Sequence, residues 1–232
     1  MTTYDDRLIL LALEEDIGPG DVTTEGLIET DRPARARVLA KEPLVLAGLD
    51  WARRVFNALD SEARFESLFK DGDKVPANQV IAIIAGQLRA ILTGERTALN
   101  FLQRLCGIAT FTRVFVEKIQ GTNVRLTDTR KTIPGWRKLE KYAVKMGGGS
   151  NHRFGLYDGV LIKDNHIRAF GGITKAVDRL RNVKGHLLGI EVEVSTIDEV
   201  QEALRSRVDV IMLDNMDIEE IKSAVRLIAG RA

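Results

Sequence analysis

Residues 160–167 read VLIKDNHI, an apolar run that stops abruptly in a lysine, an aspartate, an asparagine and a histidine. A run of Val, Leu and Ile without polar alternation is the pattern of a parallel strand covered on both faces, so the polar residues are expected to gather at the strand's end. The carboxyl ends of such strands are where α/β enzymes keep their ligands. On either side the chain repeats the same unit. Strands are expected over 124–128 (VRLTD), 159–164, 189–194 (GIEVEV) and 208–214 (VDVIMLD), and helices over 136–146, 173–183, 197–204 and 218–228. Alternation of this kind predicts parallel strands joined by right-handed helical crossovers, in either a (β/α) barrel or an open doubly wound sheet. No Gly-x-Gly-x-x-Gly follows a strand and opens a helix, which counts against a dinucleotide-binding sheet. The Gly-rich MGGGSN at 146–151 comes after a helix instead.

The earlier part of the chain reads as mixed α and β. Leu8, Ile9, Leu11 and Ala12 give a helical stripe, residues 34–49 alternate like a strand, DGD at 71–73 marks a turn, and VIAIIAG at 80–86 reads as a buried strand. A long helix is expected from Glu95 to about Ile119, with Gly121 as its stop signal. This places a division near residue 100, between domains over 1–100 and 101–232.

Composition bounds the classes of function. With 232 residues, 44% of them hydrophobic, the chain can build a sizeable core. A net charge of +1 makes no general case for nucleic acid or an anionic membrane. The single Cys106 forms no intramolecular disulfide or thiolate zinc cage and suits a reducing cytoplasm. The first 16 residues mix charges into a short amphipathic helix unlike a secretory leader, and no apolar run approaches the roughly 20 residues of a membrane span. His152, His166 and His186 are too spread for a His-rich zinc site.

Charge is concentrated where the strands end. Between Arg125 and Arg168 there are 10 Lys or Arg against 4 Asp or Glu, a local +6. Arg130, Lys131, His152, Arg153, Lys163 and His166 form a cationic group there, suited to a ligand with more than one negative charge. Arg137, Lys138, Lys141 and Lys145 fall within the helix and are expected to be solvated. Glu191 and Glu193, two apart, project to one side of their strand, and Asp214 closes another. Carboxylates beside a crowded sheet interior are costly unless paired. Two readings remain open, a structural ion-pair network or a site holding an anion with its Mg²⁺, which on a polyphosphate takes one or two protein carboxylates.

The segments EEDIGPGDVTT (14–24), GERTALNFLQRLCGIAT (94–110), the whole run 128–167, IEVEV (190–194) and IMLDNM (211–216) resemble the quinolinate phosphoribosyltransferase family from about Leu8 onward. The resemblance implies an N-terminal α/β sandwich domain followed by an incomplete parallel α/β barrel. It implies transfer of a phosphoribosyl group from phosphoribosyl pyrophosphate to quinolinate, with loss of carbon dioxide, for NAD biosynthesis in the cytoplasm. On this resemblance Arg130, His152, Arg153 and Lys163 grip quinolinate, with His166 beside them, and Arg96 reaches in from the other subunit of a homodimer. Lys131 and Lys163 serve the phosphates, and Glu193 and Asp214 hold the ribose hydroxyls or Mg²⁺.

Family sequences carry further strand and helix units, and residues 101–232 are well short of the roughly 250 of a complete eightfold barrel. The accompanying expectation is an exposed strand edge and a 232-residue chain that is inactive or poorly stable alone. Three rivals carry their own signatures. A class I aldolase would form a Schiff base on Lys163. A sister protein, such as the molybdenum-transport-associated homologue, would share the fold but use another acceptor. A non-catalytic remnant would bind anions without turnover.

Overall fold

The computed structural model describes residues 3–183, 185 and 187–232, so His186 lies outside the described residues. The chain forms two compact units, one running to His152 and the other from Arg153 onward.

In the first unit α1 (Tyr4–Ile17) starts at a reciprocal cap: the Asp6 N–H donates to Thr3 Oγ1 at 3.2 Å and the Thr3 N–H donates to Asp6 Oδ2 at 2.9 Å. After α2 (Val22–Leu27) come β1 (Pro33–Leu39), β2 (Leu44–Val45), α3 (Leu49–Leu59), β3 (Arg64–Ser67), β4 (Lys74–Val75) and β5 (Val80–Gln87). β5 lies between β1 and β3 in an antiparallel sheet, and β2 pairs with β4. A central strand has neighbours on both edges, which explains why β5 is the most apolar of the five, with Ile81, Ala82 and Ile84 buried. β1 is at the edge and exposes Arg35 and Arg37 on alternate positions.

α4 (Leu88–Lys118) follows β5 directly and begins seven residues before the expected Glu95. Its buried stripe Ile91, Ala98, Phe101, Leu105 and Ala109 holds helical spacing through residue 100 without a break and packs with Trp51, Val55 and Phe56 of α3. The chain then turns at Gly121, φ +82°. α5 (Arg137–Met146) adds Leu139 and Ala143 to the same core. The expected strand over 124–128 is reduced to one parallel bridge, Thr127 with Ser150, and Val124 is 62% exposed.

The glycines after α5 have a packing role. A Cβ on Gly147 would lie 2.5 Å from the Ala109 carbonyl oxygen and 2.6 Å from Thr112 Cβ, so the end of α5 approaches α4 more closely than any side chain allows. Gly148 follows at φ +94°.

The second unit contains β6 (Val160–Ile162), α6 (Asp164–Phe170), α7 (Ile173–Val183), β7 (Ile190–Val194), α8 (Ile197–Arg205), β8 (Val210–Leu213) and α9 (Ile218–Ile228). The strands are parallel and lie in chain order β6-β7-β8. Sequential order without reversal matches the winding of a barrel arc, and the three-stranded sheet is not closed, as an incomplete barrel requires. Along β7, Ile190, Val192 and Val194 are buried against Val177, Val200, Ala203 and Ala224. Glu191 and Glu193 are half-buried on the opposite face, as alternation requires. The short helix α6 was not expected from the sequence.

Among the described residues no helix is long and apolar enough to cross a membrane. Cys106 is buried, accepts from the Ala47 N–H at 3.3 Å and donates to the Ala47 carbonyl at 3.4 Å; burial pushes its thiol up to about 11. Native protein at pH 8 is therefore expected to react with iodoacetamide at least ~100-fold more slowly than unfolded chain, because the thiolate fraction is suppressed. Equal rates would contradict this burial. Gly147→Ala is expected to lower unfolding free energy by about 1–3 kcal/mol through overpacking, read from denaturant melts; an unchanged midpoint would show that the helices part freely.

Candidate active site

In the second unit, strand alternation sets the geometry. Register pairs Leu161 with Glu191 and Glu193 with Met212, so positions 161, 163, 191, 193, 210, 212 and 214 share one parity and one face. Three of these positions carry charges beyond or near the strand ends: Lys163, Glu193 and Asp214. Lys163 Nζ donates to Glu193 Oε2 at 2.8 Å across the β6–β7 step, the lysine side chain 46% and the glutamate 15% exposed. The Asp214 N–H donates to Val194 O at 2.9 Å, extending the β8 ladder by one bond, and Asp214 Oδ2 accepts from Asn215 Nδ2 at 2.7 Å. Asn215 takes a left-handed φ of 55°, which turns the chain back toward α9.

Glu193, Asp214 and Asn215 line a cleft of about 450 Å³ together with Asp164, Arg168 and Ser195, and Lys163 adjoins it through Glu193. The KDNH cluster is thereby resolved into separate tasks. Lys163 reaches the β7 carboxylate. Asp164 starts α6 and pairs with Arg168 one turn on. His166 is turned to the backbone, its Nδ1 accepting from the Lys163 N–H at 2.9 Å, which leaves Nε2 as the N–H of the neutral ring. Arg153, at the start of this unit, is anchored by Nη1 donating to Gly159 O at 3.1 Å. Neither Asp164 nor Arg168 was a candidate site residue from the sequence: Asp164 stood only within the polar cluster that ends the 159–164 strand, and Arg168 only in the local charge count.

The first unit carries the remaining candidates. Arg130 is half-buried, and its Nε is buried with no hydrogen-bond partner, an arrangement suited to an anion. Lys131 is exposed, on a tight turn in which the Thr132 N–H donates to Arg130 O at 3.0 Å and the Lys131 N–H to Thr129 Oγ1 at 3.0 Å. The His152 N–H donates to Asp128 Oδ1 at 2.9 Å, and the His152 carbonyl accepts from Lys141 Nζ at 3.0 Å. Lys141 is therefore not a solvated helix-face charge: it is 2% exposed and pairs with Asp128. Of its three companions, Lys138 and Lys145 are exposed and Arg137 is half-buried. Arg96 stands exposed on α4.

Among the described residues no three His, Cys, Asp or Glu side chains gather into a metal cluster. Glu193 and Asp214, both lining the one cleft, offer hard oxygen donors of the kind and number that a Mg²⁺ shared with phosphates takes from protein.

Two family models account for nearly the whole sequence: the quinolinate phosphoribosyl transferase N-terminal domain matches residues 21–106 and the C-terminal domain matches residues 108–232. A probable nicotinate-nucleotide pyrophosphorylase [carboxylating] of Synechocystis sp. is 51% identical over 93% of this chain and 73% of its own length. The solved nicotinate-nucleotide pyrophosphorylase from Francisella tularensis, 44% identical, superimposes with a TM-score of 0.94 over 98% of this chain and 80% of its own. The enzyme of that name from Ehrlichia chaffeensis, 41% identical, gives 0.92 over 100% and 84%. Family models, identity and fold agree along the length of the sequence, and the chain belongs to the quinolinate phosphoribosyltransferase family.

Proposed function

We propose that the chain transfers the phosphoribosyl group of phosphoribosyl pyrophosphate to the ring nitrogen of quinolinate, giving nicotinate mononucleotide, pyrophosphate and carbon dioxide, in the cytoplasm and as a homodimer. The observation that carries this reading is the sharing of one strand face by Lys163, Glu193 and Asp214, with two carboxylates and a cation lining or adjoining a cleft at the strand ends. Quinolinate is assigned to Arg130, His152, Arg153 and Lys163, with His166 beside them; Arg130's unpaired buried Nε supports that assignment. Lys131 and Lys163 take the phosphates. Arg96, exposed on α4, completes the site of the other subunit. The division of labour follows residues 1–100 and 101–232, close to where the two family models meet.

Catalysis on this reading is positioning and electrostatics. The C1′–O bond to pyrophosphate breaks, the leaving group departs with the electron pair, and the C1′–N bond forms. Positive charge develops on the ribosyl carbon, and Glu193 and Asp214 favour it. In an effective dielectric of about 20, a carboxylate about 4 Å from a half-developed charge contributes roughly 2 kcal/mol, about 30-fold in rate. Glu193 and Asp214 are also the residues to hold Mg²⁺, which when bound supplies neutralisation of the pyrophosphate charge. Once the ring is a pyridinium, it stabilises the electron pair left when the bond to the 2-carboxylate breaks, and a proton then replaces carbon dioxide on that carbon. Lys163 is paired with Glu193 in this reading and forms no covalent bond to substrate.

Incubation with quinolinate, phosphoribosyl pyrophosphate and Mg²⁺ is expected to yield pyrophosphate and nicotinate mononucleotide in equal amounts, at whatever rate the chain sustains. Pyrophosphate without the mononucleotide, or a borohydride-trapped adduct on Lys163 with a carbonyl substrate, would count against the transferase. Calorimetry gives a rate-independent check. Arg153→Ala is expected to weaken quinolinate binding about 10- to 100-fold, the loss of a charge-assisted pair; undiminished binding would remove Arg153 from the site.

A further inference from the structure

We infer that Glu140 and Lys141, consecutive residues of α5, act with Asp128 as positioning residues that hold the two loops flanking that helix in the form that binds the acceptor. The inference rests on the assignment of Arg130 and His152 to quinolinate. Consecutive helical positions are about 100° apart, so adjacent side chains diverge and reach different partners.

Lys141 reaches the loop after the helix. Its ammonium pairs with Asp128 Oδ1 and donates to the His152 carbonyl at 3.0 Å, while Asp128 Oδ1 accepts the His152 N–H at 2.9 Å. The ion pair thus takes both backbone polar groups of His152. Asn151 completes the clamp, its Nδ2 donating to Asp128 Oδ2 at 2.5 Å and to the Lys141 carbonyl at 2.9 Å.

Glu140, also buried, reaches the loop before the helix. Its Oε2 accepts the Ile133 N–H at 3.2 Å, three residues past Arg130, and its Oε1 accepts Arg104 Nη2 at 2.6 Å. The loop bearing Arg130 and Lys131 is therefore tied to α5 and, through Arg104, to α4.

Stability alone does not account for such an arrangement. The Lys141 and Asp128 side chains are 3% and 7% exposed, and replacing a buried ion pair with apolar groups of similar volume is often neutral or stabilising. What an apolar pair cannot supply is a donor and an acceptor set to fix one peptide unit. The pair is electrically neutral, so its contribution is geometric: it sets where the neighbouring cations stand.

The test uses three variants of the chain: Asp128→Asn with Lys141→Met, which removes both charges at once; Asn151→Ala, at an exposed position; and Glu140→Gln. Binding of quinolinate and of Mg²⁺-pyrophosphate is measured separately by calorimetry, alongside amide hydrogen exchange. The expected result is at least a 10-fold loss of quinolinate affinity in the double variant and a smaller loss in the other two. Pyrophosphate binding, which Lys131 of the same loop shares with Lys163 outside both loops, falls by less than quinolinate binding, and exchange accelerates only in 128–133 or 150–153. A folded double variant that binds quinolinate within twofold of the parent overturns the inference, as does parallel loss of both ligands with exchange rising throughout the core. If the parent itself binds no quinolinate, the acceptor assignment fails. Exchange then decides the clamp alone: local loosening of the two loops supports it, and unchanged protection there overturns it.

Discussion

Side-chain alternation along parallel strands sends Lys163, Glu193 and Asp214 to the same face, and the chemistry of the second unit depends on that constraint. The opposite face is filled by Ile190, Val192 and Val194 packed under the helices, so a one-residue slip in register would bury the carboxylates among aliphatic side chains. Apolar burial thus fixes which way the charges point. Burial of the glutamate is offset by its lysine partner, and the cleft beyond receives what the pair does not neutralise.

The first unit meets a different demand with different means. Arg130, Lys131 and His152 sit on loops outside the strand ladders, and their anchoring comes from buried charges on α5. That helix is itself pressed onto α4 through Gly147 and tied to the turn at 71–73 by Tyr142 Oη donating to Asp71 Oδ2 at 2.6 Å. Asp71 also accepts the first amides of α3, at Gly48 and Leu49. A substitution in this chain of contacts therefore reaches the Arg130 and His152 loops without touching either residue.

Elements with a clean period were readable from the sequence. α7 and α9 begin and end where the pattern placed them, and β7 shows the buried and half-buried alternation that IEVEV implies. The segment 124–128 failed because pairing is a tertiary property: its apolar residues match a strand, but only Thr127 finds a neighbour, at Ser150. α6 buries no residue, so it left no stripe to detect; its signs are the Asp164–Arg168 spacing and the His166 bond to Lys163. Lys141 was hidden for a sharper reason. It lies about 200° around the helix from Leu139, on the side that amphipathic logic assigns to water. The segments at 128 and 150–152 cover that side instead, and no local signal announces them. Apart from Arg96, which only the family resemblance offered, the candidate site residues were visible as residue types gathered near strand ends, whereas the groups that hold them were not.

The central claim is that this chain recognises an acceptor by two carboxylates at once. Side-by-side calorimetry of quinolinate and nicotinate, which differ by the 2-carboxylate alone, tests it most directly. The account predicts that quinolinate binds about 10- to 100-fold more tightly, the contribution of one charge-assisted interaction. Equal affinity for the two would contradict it, because the cationic loops would then be reading a single carboxylate.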